Sequence, residues 1–375
     1  MKICILVRVL WPGGVQRLAF AEAEGLTKLG NDVDLIFIRG TEKYAYSADI
    51  NYKVLYKNDI NKRILGRIFR KITLHYAPQR GEDATVDMDL IYKTEHNLQK
   101  KYDIIYYFDP LTAFFQTYNK KKYGNKTAVL IHEVGSLNEP KLSTFLLNRA
   151  IKNSDIVLTN TKENLDLLMM KFGIKNAYEV YPGLVLHNDI PDFDSRENIA
   201  VSVTMWDFGR KPEILLQIAK KLKYGKIVIA GSWADNKSLE DFKKRVIAGG
   251  LTNKLSITGG IEETDLVNLY KRAKVSIRFG YNEKGPGMGS LESMAWGIPL
   301  IINNGIGIKE IVRDNLNGYI VEENDYETIA NLIDELFNRK DKWSEISKNN
   351  IILAKGLSWD NHCLKLNSIF SGIVH

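Results

Sequence analysis

Gly280-Tyr281-Asn282-Glu283-Lys284-Gly285-Pro286-Gly287-Met288-Gly289-Ser290-Leu291-Glu292-Ser293-Met294-Ala295-Trp296-Gly297-Ile298-Pro299 carries four glycines in its first ten residues and a helix-spaced apolar run after them. The stretch before it, Val275–Arg278, is strand-like. A strand feeding a glycine loop that opens a helix near Gly289 aims free N–H groups and the positive helix end at an anion such as phosphate. Gly285, Gly287 and Ser290 nearly spell a dinucleotide fingerprint, but its acidic partner is not in the usual place. Glu292 falls on the first helical turn. A carboxylate there either accepts hydrogen bonds from sugar hydroxyls or merely complements the helix dipole.

Outward from this stretch, strands and helices alternate. Ala200–Met205, Lys226–Ala230, Lys254–Ile257, Pro299–Ile302 and Tyr319–Val321 read as strands. Between and after them, Pro212–Lys223, Lys237–Ala248, Glu263–Ala273, Ser290–Trp296 and Tyr326–Phe337 space their apolar residues like helices. The first half has the same rhythm. Lys2–Val9, Asp32–Ile38, Asp103–Phe108, Lys126–Ile131, Asp155–Leu158 and Tyr178–Tyr181 are strand-like, and Gln16–Leu29, Lys141–Asn153 and Glu163–Phe172 helical. Leu186–Asn198, with Pro191 and little to bury, breaks the alternation.

The fold class expected is therefore α/β, with two doubly wound, Rossmann-like parallel-sheet domains facing a cleft. The expected boundaries are 1–190, a linker at 191–198, and 199–359, with the last helix, 360–375, packing back on the first domain. Just after the first strand, Gly13 and Gly14 form a second glycine turn ahead of a helix; a tight turn accounts for them as well as a ligand does.

Composition narrows the classes. The chain has 375 residues, 45% hydrophobic and 26% charged, which excludes disorder and coiled coil. It has no apolar run long enough to span a membrane, and Arg8 interrupts the apolar start, so Met1–Val9 reads as a strand rather than a signal peptide. Two cysteines make neither a disulfide framework nor a metal cage and suit a reducing, cytoplasmic setting. A net charge of +7 favours anionic company.

The segment Gly287–Pro299 resembles the core signature of the retaining, GT-B fold glycosyltransferases of group 1 (glycosyltransferase family 4). Other landmarks follow in order along nearly the whole chain. Gly13-Gly14 resembles the family's N-terminal glycine loop, His132 its histidine near the donor sugar, and Ser358-Trp359-Asp360 its C-terminal motif.

The resemblance implies a transferase that moves a sugar from a nucleotide diphosphate sugar to a glycan or lipid-linked acceptor. It also implies a binding surface made of Gly13, Gly14, Lys284, Gly287, Met288, Gly289, Ser290 and Glu292. In the family two glutamates stand eight positions apart, one on the sugar and one on the ribose. Glu292 takes the ribose slot, while the sugar slot falls on Lys284 with Glu283 beside it. The family's diphosphate-gripping lysine corresponds to Lys211; its arginine slot falls on Trp206, with Arg210 as the neighbouring replacement. Cations are unfavourable at a helix N-terminus, so a bound anion accounts for this pair better than solvent does. His132, Glu283, Arg210 and Lys211 are thus the catalytic candidates, and no resident cofactor or metal is expected.

Asp32-Val33-Asp34, Asp87-Met88-Asp89 and Asp192-Phe193-Asp194 mimic a metal-binding Asp-x-Asp, but none stands in a suitable place, and the histidines lack metal spacing. From Asp59 to His75, Ile60, Ile64, Leu65, Ile68, Phe69 and Ile72 share one helical face flanked by Lys62, Arg63, Arg67, Arg70 and Lys71. This is either an ordinary surface helix or one that docks on anionic lipid, which would make the protein a peripheral membrane enzyme. The rival functions are a GT-B sugar-nucleotide epimerase, a nicotinamide oxidoreductase, for which Gly13-Gly14 supplies no true fingerprint, and a nucleic-acid binder, for which no recognition motif is present. Donor, acceptor and oligomeric state are not legible.

Overall fold

In a computed structural model, the described residues are 1–10, 14–40, 50–57, 88–98, 102–132, 148–206, 208–281 and 283–374. They fall into two units, Met1–Gly183 with Trp359–His375, and Leu184–Ser358.

The elements of the first unit are β1 (Lys2–Leu10), α1 (Gly14–Lys28), β2 (Asp32–Gly40), β3 (Tyr52–Lys57), α2 (Met88–Asn97), β4 (Ile104–Tyr107), α3 (Gln116–Tyr123), β5 (Lys126–Ile131), β6 (Ile156–Thr159), α4 (Lys162–Phe172) and β7 (Ala177–Glu179). The strands form one parallel sheet in the order β3-β2-β1-β4-β5-β6-β7. The centre of β1 is buried on both faces, which is why Ile3–Val7 is an unbroken apolar run instead of an alternating one.

The second unit contains β8 (Glu197–Val203), α5 (Glu213–Lys221), β9 (Lys226–Ala230), α6 (Asn236–Ala248), β10 (Leu255–Gly259), α7 (Glu263–Arg272), β11 (Ala273–Arg278), α8 (Met288–Ala295), β12 (Leu300–Ile302), β13 (Gly318–Ile320), α9 (Tyr326–Asn338) and α10 (Lys340–Gly356). Its parallel sheet runs β10-β9-β8-β11-β12-β13. The order reverses between β8 and β11. In open α/β sheets that reversal opens a crevice beyond the strand ends, and the loop after β11 is the glycine-rich stretch quoted first. The final helix, α11 (Trp359–Val374), belongs to the first unit, with Leu366 and Phe370 in the core shared with β1 and β4. No described helix is long and apolar enough to cross a membrane.

Three expectations need correction. The stretch 191–198 is not a linker: Phe193 is buried in the core of the second unit, Arg196 is buried against three backbone carbonyls, and β8 already starts at Glu197. The sequence showed little apolar content there because its anchor is an arginine. β3 was not anticipated, since it is an edge strand in which Lys53 and Leu55 both face outward. α10 was also missed because two of the five residues in its buried stripe, Trp343, Ile346, Ser347, Asn350 and Ala354, are polar, with Asn350 Nδ2 donating to Ile298 O at 2.9 Å. The proposed interfacial segment Asp59–His75 and the greater part of the helix read at Lys141–Asn153 lie outside the described residues.

Candidate functional site

The loop after β11 is held by backbone pairing with the loop after β12. Glu283 N donates to Gly305 O at 2.9 Å and Gly307 N to Gly285 O at 3.0 Å. Asn303 braces the same turn, its Oδ1 accepting from Gly280 N at 2.9 Å and its Nδ2 donating to Gly280 O at 3.0 Å and to Glu323. Beyond these strand ends lies a shallow cavity of ≈ 240 Å³ lined by Gly280, Tyr281, Asn303, Gly305, Val321 and Glu323 among others. Burial and the Glu323 charge push the Tyr281 phenol well above its ordinary pKa.

α8 starts where the loop ends. Gly287 caps it with φ +70, a left-handed conformation that side chains resist, and offers no side chain to the first N–H groups. A Cβ on Gly289 would stand 2.6 Å from Val203 O, so only glycine lets this turn lie against the end of β8. Met288 opens the helix half-buried. Ser290 is only 1% exposed, and its Oγ has no hydrogen-bond partner. A buried hydroxyl without a protein partner at a helix start has the chemistry to hydrogen-bond a ligand oxygen. One turn on, Glu292 Oε2 accepts from the Tyr270 hydroxyl at 2.9 Å.

The charged centre lies at the ends of β11 and β8. Arg278, 5% exposed, donates from Nη2 to both Glu283 oxygens, at 2.8 and 3.1 Å. Glu283 also forms an ion pair with Arg210, which ends a short 3₁₀ turn, Phe208–Arg210, just before α5. Lys211 follows at φ +44, a strained position for a side-chain-bearing residue. Its Nζ lies 3.8 Å from Glu323 and 3.9 Å from the centre of the Tyr281 ring. Lys284 is half-buried beside Glu283.

The structure thus brings Glu283 and Arg210 together in the second unit and places Lys211, Gly287, Met288, Gly289, Ser290 and Glu292 in the same crevice-forming loops. The arginine slot at Trp206 is filled by a structural ring: it is buried, and its Nε1 donates to Ala230 O at 3.0 Å. His132 follows β5 in the first unit, its carbonyl accepting from Asn164 Nδ2 at 3.4 Å. Gly14 begins α1, while Gly13 lies outside the described residues.

Arg278, Tyr270, Asn303 and Glu323 were missed. For Arg278 a signal existed: a lone cation ending an apolar strand is buried only with a partner. Four of the six Asp-x-Asp carboxylates are committed elsewhere: Asp32 to Lys2 at 3.2 Å, Asp34 to the Tyr102 hydroxyl at 2.5 Å, Asp192 to Ser195 and Asp194 to Lys340. Asp87 lies outside the described residues. Among the described residues no group of three or more His, Cys, Asp or Glu side chains converges.

Residues 186–352 match the family model of glycosyl transferases group 1. A D-inositol 3-phosphate glycosyltransferase of Mycobacterium sp. (strain KMS) is 24% identical over 222 residues, 55% of this chain and 50% of the relative. The O-antigen chain mannosyltransferase B of Escherichia coli is 31% identical over 105 residues, 28% of this chain and 26% of the relative. The chain spans about half, or less, of the length of these curated relatives. Among solved structures, Anabaena HepE in complex with UDP and glucose superposes with a TM-score of 0.75 at 14% identity, covering 99% of this chain and 100% of that one. Sucrose-phosphate synthase from Thermosynechococcus elongatus gives 0.75 at 14% identity, over 100% and 99%. At such identities these structures establish the fold.

Proposed function

We propose that this chain, whose residues 186–352 match the group 1 glycosyltransferase model and whose fold is that of GT-B enzymes, transfers a sugar from a nucleoside diphosphate sugar to a hydroxyl acceptor. The observation that carries this reading is the crevice at the β8/β11 reversal, where Arg210, Lys211, an uncapped helix start and the unpartnered Ser290 hydroxyl meet two carboxylates. Cations and helix N–H groups suit a diphosphate; carboxylates suit sugar hydroxyls.

As the bond from the anomeric carbon to the diphosphate breaks, negative charge grows on the leaving oxygen. Fixed positive groups lower that barrier. We assign this work to Arg210, Lys211 and the N–H groups around Gly287–Gly289, with no divalent cation in the step. Glu283 takes a donor-sugar hydroxyl, Glu292 the ribose, and His132 a further sugar hydroxyl. The acceptor hydroxyl attacks the face that the leaving group departs from and passes its proton to the departing diphosphate oxygen, so the anomeric configuration is retained. HepE is bound to UDP and glucose, which makes UDP and UDP-sugars the first probes. Calorimetry with UDP, then chromatography of UDP released from UDP-sugars with and without glycan acceptors, tests the reading. No binding of any nucleoside diphosphate would reject it, and conversion of donor to an epimer without an acceptor would favour the epimerase.

Glu292→Ala should weaken UDP binding by roughly 10- to 100-fold, the value of about 1.5–3 kcal/mol for a lost charge-assisted hydrogen bond. The fold should tolerate it, because the Tyr270 hydroxyl also reaches Gly289 O, at 3.3 Å. Equal affinities by calorimetry would leave Glu292 a helix-dipole residue.

The apolar and basic pattern of Asp59–His75, which lies outside the described residues, is the ground for testing a lipid-linked saccharide beside soluble glycans as acceptor. Arg63, Arg67, Arg70 and Lys71 contribute about 1 kcal/mol each near anionic lipid. The parent protein should therefore co-sediment with anionic liposomes at low salt, and the four-fold change to Glu should not. Parent protein that stays in the supernatant would reject this.

A further inference from the structure

Glu283 is shared by two arginines of unequal freedom. Arg278 ends β11 inside the sheet, is 5% exposed, and donates to both carboxylate oxygens. Arg210 lies in a short 3₁₀ turn with its side chain 25% exposed, and it meets the same carboxylate from the other side. The buried partner is held by its strand, and Arg210 is the more exposed of the two.

The proposed donor brings a second anion to this spot. A diphosphate arriving at Arg210 competes with Glu283 for the N–H donors and the positive charge of its guanidinium. We infer that Glu283 is a counter-ion parked on Arg210 before the donor arrives, that the donor diphosphate displaces it, and that Arg278 holds the released carboxylate in place for the sugar. Arg278 is then a positioning residue acting through Glu283. The inference rests on the nucleoside diphosphate reading above.

A consequence follows that simple loss of a binding residue would not produce. Glu283→Gln removes the competing charge, so UDP should bind about 5- to 10-fold tighter while sugar transfer falls by about 100-fold or more. The new amide oxygen still accepts from Arg278, which keeps the buried guanidinium partnered. Arg278→Met leaves Glu283 only Arg210 to pair with, so UDP should bind several-fold more weakly; Arg278→Lys should restore part of that loss.

The deciding experiment is a calorimetric cycle with UDP on the full chain, using the parent, Glu283→Gln, Arg210→Ala and the double variant, with thermal unfolding of each. The gain from Glu283→Gln should vanish in the Arg210→Ala background. A gain that persists there is general electrostatics, and it overturns the exchange. Glu323→Gln, which removes the same charge beside Lys211 but not beside Arg210, should give a smaller gain; an equal one counts the same way. If the parent binds UDP and Glu283→Gln binds it no tighter, the inference falls while the functional reading stands. A parent that binds no nucleoside diphosphate removes both. Glu283→Asp, which withdraws the carboxylate by one methylene, enters the same cycle if the glutamine variant fails to fold. Arg278→Met with unchanged affinity and only a lower melting temperature would make Arg278 a structural cation.

Discussion

Replacing Arg210 and Lys211 together with alanine should lower sugar transfer by at least about 10³-fold, since removing even one preorganised group from a developing negative charge costs 10²–10³. The loss belongs in kcat more than in KM, because the charge these side chains meet grows as the leaving bond breaks. Folding should survive. The two side chains are 25% and 51% exposed, and both stand outside the hydrophobic core. Glu283 would keep Arg278 as its partner, so no carboxylate is stranded. Transfer by the parent protein should continue in EDTA. Coupled detection of the released nucleoside diphosphate reads both results. Turnover that requires added magnesium or manganese, or a double variant within ten-fold of the parent, would move the charge stabilisation away from this pair.

The sequence made the fold legible where burial was apolar and hid it where burial was polar. Lys126–Ile131 and Lys226–Ala230 were read to the residue, because their buried positions carry Val, Ile, Leu and Ala with Thr127 the one polar residue among them. α10 was missed, since Ser347 and Asn350 occupy its inward face, and the supposed linker was missed because Arg196 does the anchoring. The site shows the same division. The glycine loop and Glu292 are local features, visible at fixed spacing along one strand-loop-helix unit. The pairing of Arg278, Glu283 and Arg210 joins residues from the ends of two strands that are neighbours in the sheet but about seventy positions apart in the chain. No window of sequence contains it. The resemblance supplied Arg210 as a phosphate contact, and only the structure shows that a carboxylate already holds it.

Arg196→Met should cost the second unit about 3–5 kcal/mol, the range for stripping a buried, fully hydrogen-bonded charged group of its role. Its guanidinium donates from Nη1 to Tyr270 O at 2.8 Å and Ala273 O at 2.7 Å, from Nη2 to Trp296 O at 2.8 Å, and from Nε to Pro191 O at 3.0 Å. Three of these carbonyls end helices: Tyr270 and Ala273 close α7, and Trp296 closes α8. One cation therefore caps two helix C-termini, where backbone oxygens lack partners and the dipole is negative. Burial pulls the pKa of Arg196 down to about 10, which still leaves it charged at neutral pH. Methionine fills the volume but donates nothing, and three buried carbonyls, with the part-buried one of Pro191, lose a donor. Lysine restores the charge without the planar fork, so Arg196→Lys should recover less than half of the loss. Four of the six tryptophans, Trp206, Trp233, Trp296 and Trp343, lie in this unit, so urea unfolding followed by tryptophan fluorescence reports on it. Because a domain has only 5–15 kcal/mol in hand, the midpoint should move by a large fraction of its value. An unchanged midpoint for Arg196→Met would mean that water reaches these carbonyls, and that the helix ends flanking the donor loop do not depend on the arginine.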